Sequence, residues 1–126
     1  AVGWAATVAA REVHARGSVG LARALIAVSV TGSLAAVASG LAGPWASGLD
    51  PKLHSYPAIV WTLAGWTAAH SAVAAIMSGY ALARSLAGRM TPKHDADIRN
   101  VTVYHHFMLF TAAIAYLTIG LFPGAL

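Results

Sequence analysis

At 126 residues, with 58% hydrophobic and only 10% charged side chains and a mean hydropathy of +0.66, the chain is too apolar for a soluble domain, where about a quarter of residues carry charge. It lacks the polar groups to cover its own apolar surface, so much of that surface belongs against lipid or partner proteins. The net charge of +4 lies at segment ends without a stripe of interleaved aromatics, which argues against nucleic acid as a partner, and the absence of cysteine removes disulfides, thiolate metal sites and cysteine nucleophiles together.

Residues 1–10 are apolar, but a hydrocarbon core about 30 Å thick needs roughly 20 such residues in a helix. They read as the stump of a preceding helix or as a processed end, and no basic n-region of a secretory signal precedes Ala1. The first spanning candidate is Val19 to Leu41. Arg23 lies one turn inside its start, where its side chain is long enough to snorkel to the headgroups, and Gly43-Pro44 reads as its stop. A turn-rich loop through Asp50-Pro51 leads to the second candidate, from about Pro57, a residue suited to a first helical position, to Ala83 before Arg84. The third runs from Val101 to Phe122 and stops at Pro123-Gly124. No segment alternates with a period of two, and in lipid each backbone polar group needs a partner within the protein. The expected fold is therefore an all-α transmembrane bundle with three spanning helices, one domain over residues 1–126. Ser29/Ser33, Ala36/Gly40 and Ala75/Gly79 place small residues at four-residue spacing, which lets helix backbones approach closely.

Lysine and arginine set the expected orientation, because basic loops stay on the cytoplasmic side. Arg11, Arg16 and Arg23 precede or open the first span, and Arg84, Arg89, Lys93 and Arg99 lie between the second and third, while only Lys52 lies in the opposite loop. Residues 84–100 then form a cytoplasmic basic loop, and the C-terminus is on the outer side.

His70 is central in the second span, and Trp66, Val73, Met77 and Tyr80 share its face at helical spacing. An ionised group at that depth is costly, so His70 is expected neutral, either as an axial haem ligand or in an interhelical hydrogen bond inside the bundle. His105 and His106 lie about one turn into the third span, which sets them about 10 Å or more from His70 along the membrane normal. A bis-histidine haem held by this chain alone is thereby disfavoured. His94, Asp95 and Asp97 form a weak metal pattern; Asp97 and Arg99 more simply describe a helix entrance, the acid at the positive dipole end and the arginine at lipid phosphate. No nucleophile elbow, phosphate loop or intramembrane carboxylate is present, and Glu12, Asp50, Asp95 and Asp97 all belong to flanks or loops.

The words Gly43-Pro-Trp45, Gly48-Leu-Asp-Pro51, Tyr56-Pro-Ala-Ile-Val-Trp61 and His94-Asp-Ala-Asp-Ile-Arg-Asn100, followed by Tyr104-His-His-Phe107, resemble the C-terminal part of cytochrome c oxidase subunit III. The likeness is nearest to the portion fused to, or paired with, subunit I in bacterial haem-copper oxidases. It covers about half the chain; residues 1–42 match only in hydropathy. Three departures stand out. His105 replaces the usual tryptophan of a Tyr-Trp-His-Phe word, Thr67 occupies the place of the first of two histidines of which His70 resembles the second, and Met108 and Leu109 follow where an acidic residue is common.

The resemblance implies an accessory subunit of a terminal oxidase in a bacterial inner membrane, with no catalytic residue and no cofactor of its own. It implies oxidase subunits I and II as partners and, through them, a larger respiratory assembly. Haem and copper are expected in the catalytic partner, with phospholipid held beside this chain and support given to assembly, to proton uptake and to the catalytic subunit's working life. The family's full subunit has seven helices and an outer C-terminus, as the charge pattern also gives. The residues expected to touch lipid or neighbouring subunits are Trp66, His70, Arg99, Tyr104 and His106. Two alternatives stay open: a haem-b-binding anchor of a succinate dehydrogenase-like quinone enzyme, and a small transporter or scaffold.

Overall fold

The computed structural model describes residues 1–121, so the expected end of the third span at Phe122 and its stop at Pro123-Gly124 lie outside the described residues. The fold is all-helical: α1 (Val2–Ala15), α2 (Val19–Ala46), α3 (Ser55–Leu86) and α4 (Ala96–Leu121). The last three are long and apolar enough to cross a membrane, and the chain is membrane-embedded on that ground. Among the described residues there is no strand beyond a single bridge between Thr91 and His94.

The helices follow one another around a ring. α1 packs on α2, α2 on α3, α3 on α4, and α4 returns to α1. The first ten residues are thus part of a docked helix that runs on to Ala15. Its buried positions Gly3, Ala6, Thr7, Ala10 and His14 form one stripe at helical spacing. That stripe is narrow-sided enough for close approach. A Cβ built on Gly32 of α2 would lie 3.2 Å from the Gly3 backbone nitrogen, so α1 and α2 cross with both backbones nearly touching. The Ala36/Gly40 pair acts similarly against α3, with Ala68 Cβ 3.4 Å from the space a Gly40 side chain would take. Of the third small pair, Ala75 is buried, but Gly79 faces open space and makes no such crossing.

Three of the four helices end by the same device. Gly17, Gly48 and Gly88 adopt φ of 84°, 66° and 68°, just past the C-caps Arg16, Ser47 and Ala87. In each case the residue after the glycine donates its N–H back across the turn, from Ser18 to the Val13 carbonyl, Leu49 to Pro44 and Arg89 to Arg84. The glycines supply the left-handed conformation that closes these orphan carbonyls. Gly43-Pro44 therefore does not stop the first span, as expected from sequence. Pro44 is accommodated inside α2, where helical φ suits its ring and only one N–H is lost, and Gly48 is the stop. The second span likewise starts two residues before Pro57 and continues past Arg84 to Leu86, while α4 begins at Ala96, about one turn before Val101. The basic connection shortens accordingly.

Arg23 does not reach for headgroups. Its Nε donates to Ser85 Oγ at 3.2 Å and its Nη2 to the Ser85 carbonyl at 2.6 Å. That carbonyl also accepts the Gly88 N–H, so a cation on α2 caps the negative end of α3 and ties the two helices at their basic end. Across the same end, Arg84 Nε lies 3.1 Å from Asp97 Oδ2, joining α3 to the first turn of α4. Both groups are partly solvated, so this pair contributes little stability and mainly fixes register.

Candidate functional site

Two arrangements of side chains hold polar chemistry at membrane depth: a hydrogen-bonded cluster inside the ring of helices, and an aromatic face outside it. Both depend on histidines whose protonation the backbone decides. His70 Nδ1 lies 2.9 Å from the Trp66 carbonyl, His105 Nδ1 3.0 Å from that of Val101, and His106 Nδ1 2.8 Å from that of Thr102. A carbonyl oxygen only accepts, so the network assigns the proton to Nδ1 in each ring. In the neutral ring Nε2 then carries a lone pair.

His105 spends its lone pair inside. Ser29 Oγ lies 3.2 Å and Ser33 Oγ 3.3 Å from its Nε2, and with Nδ1 protonated that nitrogen can only accept, its one lone pair shared between the two hydroxyls. With the Ser29 proton used in this way, Ser78 of α3 donates to Ser29 Oγ across 3.1 Å. His105, Ser29 and Ser78 are buried, so these bonds join α4, α2 and α3 where no water competes. Gly3 of α1 completes the wall: a Cβ there would come within 3.2 Å of His105 Nε2. Ser33 and His105 also border a cavity of about 140 Å³, along with Thr67, Ser71 and Tyr116.

None of the expected contact residues belongs to this cluster, although the sequence carries its signal. Ser71, Ser78 and Ser85 recur at seven-residue spacing on α3 and all three are buried. Together with Ser29/Ser33 they mark the hydroxyl-lined inner seam that a histidine can join.

The expected residues fall elsewhere. His70 is half-buried on the outer surface of the α3/α4 pair and takes no part in the bundle interior. Its ring stacks at a tilt on Trp66, with centroids 4.2 Å apart, and lies 5.8 Å from Phe107. Tyr104 donates to the His70 carbonyl at 3.3 Å, pinning α4 to α3 beneath this patch. Tyr104 and Phe107 thus reach His70 from α4 through their side chains, while His105 shares Ser29 with Ser78, eight residues from His70 along α3. The three histidines remain apart by direction: His105 faces α2, while His106 lies on the outside, edge-on to Trp4 of α1 at 5.8 Å. Arg99 is exposed at the basic end of α4.

The weak metal pattern comes apart in space. His94 bonds with Thr91 through both its backbone N–H and its ring, and Asp97 is held by Arg84. Among the described residues no three His, Asp or Glu side chains converge. Comparison with protein-family models, curated proteins and solved structures finds no match to this chain.

His14 is the other fully buried histidine, 1% exposed in the last turn of α1, and neither ring nitrogen has a hydrogen-bond partner among the described residues. A desolvated polar ring without partners is a net cost, whereas an apolar side chain of similar volume removes that cost. His14→Leu is expected to stabilise the bundle by about 1 kcal/mol; an SDS unfolding titration in mixed micelles checks it, with an earlier midpoint as the opposing result.

Proposed function

We propose that this chain is an accessory, non-redox membrane subunit of a haem-copper terminal oxidase, supporting assembly, lipid binding and proton uptake by the catalytic subunit. The observation that carries the reading is the run of subunit III-like words from Gly43 to Phe107. Two residues of those words tie α4 to α3: Asp97 pairs with Arg84, and Tyr104 bonds to the carbonyl of His70. Further support comes from where polarity is spent. His105 is satisfied by two serines of its own bundle, and every carboxylate sits at a helix end or in a loop, which suits a support and leaves no acidic relay through the interior.

The orientation belongs to the same proposal. The end bearing Arg16, Arg89 and Lys93 is cytoplasmic and the 47–54 connection is on the outer side. The native membrane is a bacterial inner membrane, and the partners are oxidase subunits I and II. One observation favours the anchor reading: His70 has the geometry of a metal-ligating histidine, Nδ1 held by a carbonyl and Nε2 free.

Affinity purification of the tagged chain from its native membranes, followed by a reduced-minus-oxidised spectrum, tests the two together. The oxidase subunits with a-type or o-type haem and copper are expected. A preparation with b-type haem alone, or the chain alone, contradicts the proposal.

A further inference from the structure

The cavity bordered by His105, Ser33, Thr67 and Ser71 lies at mid-span. Ser71 is central in the 32-residue α3, so either helix end is roughly 20 Å away at 1.5 Å per residue. The hydroxyls around the cavity are unevenly supplied. Thr67 donates to the Leu63 carbonyl and Ser71 to the Thr67 carbonyl, each across 2.9 Å, so both oxygens keep lone pairs and have no proton to give. Ser33 has the opposite surplus. Where Thr31 and Ser39 on the same helix donate back to carbonyls of their own turn, Ser33 leans on His105 Nε2, whose single lone pair Ser29 also claims. One acceptor thus serves two donors, and the second proton is underused on a side chain only 5% exposed.

We infer that this cavity is a binding site for water, held inside the bundle by Ser33 as donor and by Ser71 and Thr67 as acceptors. Water both accepts and donates, so it takes the Ser33 proton and gives its own to the two oxygens on α3. The His105 lone pair is then left to Ser29. The cavity, about 140 Å³, has room for more than one molecule, since a water takes up about 30 Å³ in the liquid. Three hydroxyls of opposite need also lie within the range of about two to four partners that buried waters use. An acyl chain supplies neither a donor nor an acceptor and would strand these groups in hydrocarbon. A cation calls for anionic ligands, and among the described residues no carboxylate borders the cavity. The inference stands whether or not the chain serves an oxidase.

Solid-state NMR of the full chain in lipid bilayers, with serine and threonine labelled, tests this through magnetisation passed from water protons at short mixing time. Ser33, Thr67 and Ser71 should each show a water cross-peak despite their depth. Ser78 is the internal control: it is fully buried in the same hydrogen-bonded cluster but does not border the cavity, and it should show none. Ser71→Val puts methyl groups where an acceptor stood and should abolish the water peaks at Ser33 and Thr67. The wild-type spectrum decides the matter by itself should that variant fail to accumulate. Absence of the water peaks at Ser33 and Ser71 overturns the inference, as do cross-peaks from acyl-chain methylene protons in their place. An equal water peak at Ser78, which marks general penetration by solvent, or unchanged peaks in Ser71→Val overturns it as well.

Discussion

Gly32→Leu is expected to push α1 off α2 and to cost the bundle about 3 kcal/mol, the upper part of the usual range for overpacking a close contact. The obstacle is backbone. The new Cβ alone would sit 3.2 Å from the Gly3 nitrogen and 3.5 Å from its Cα, atoms that no rotamer change can move aside. The displacement propagates, because Gly3 itself fits against His105 Nε2, Ser33 Oγ and the Ser29 carbonyl. Lifting α1 therefore unseats the wall of the polar cluster as well. Hydrogen exchange should rise throughout residues 2–15 and stay unchanged at the basic end of α3. Gly79→Leu is the matched control, since a Cβ there meets open space, and it should leave exchange in α1 as it is. Equal responses at the two glycines would show that the α1–α2 crossing is not the close contact described.

His105→Leu is expected to cost about 2 kcal/mol, and by a different route. The substitution keeps apolar volume but removes the acceptor shared by Ser29 and Ser33. Interhelical hydrogen bonds in membranes contribute about 0.6 kcal/mol on average and up to about 1.7 each. Relief is available to Ser33, which can turn its hydroxyl to a carbonyl in its own helix, and Ser29 retains Ser78. His105→Gln should recover about half the loss, because a carboxamide oxygen can accept from one serine. SDS titration in mixed micelles reads both variants. If His105→Leu unfolds at the wild-type midpoint, the cluster contributes nothing to stability. His106→Leu makes the contrast sharp: its ring lies outside the bundle against Trp4, so the intrinsic stability of the bundle should hardly change.

The membrane character of the fold was legible because hydropathy over 20 residues is a bulk property that packing does not alter. Helix ends were less so. Pro44 drew attention as a breaker, yet near the end of a helix proline forfeits a single bond, and the real stops were the glycines at 17, 48 and 88, whose left-handed φ closes the last carbonyls. Sequence alone points Arg23 at the bilayer because its partner, Ser85, is distant along the chain; a capping contact between helices leaves no local pattern. The same holds for the site. Depth counted along single helices sets His70 apart from His105 and His106, and it leaves unseen that side-chain packing between α3 and α4 brings Phe107 beside His70. The direction of each histidine depended on the ring of four helices, and α1, too short to span, supplied the element that made His105 an inside residue.

The reading of this chain as a support for a redox partner is tested most directly by removing it from the complex. An oxidase purified without this chain should keep its full haem and copper content and its initial rate of oxygen reduction, yet lose activity sooner over repeated turnovers as proton uptake falters. Loss of a haem or of copper on removal would contradict the account, and so would an oxidase whose activity endures unchanged.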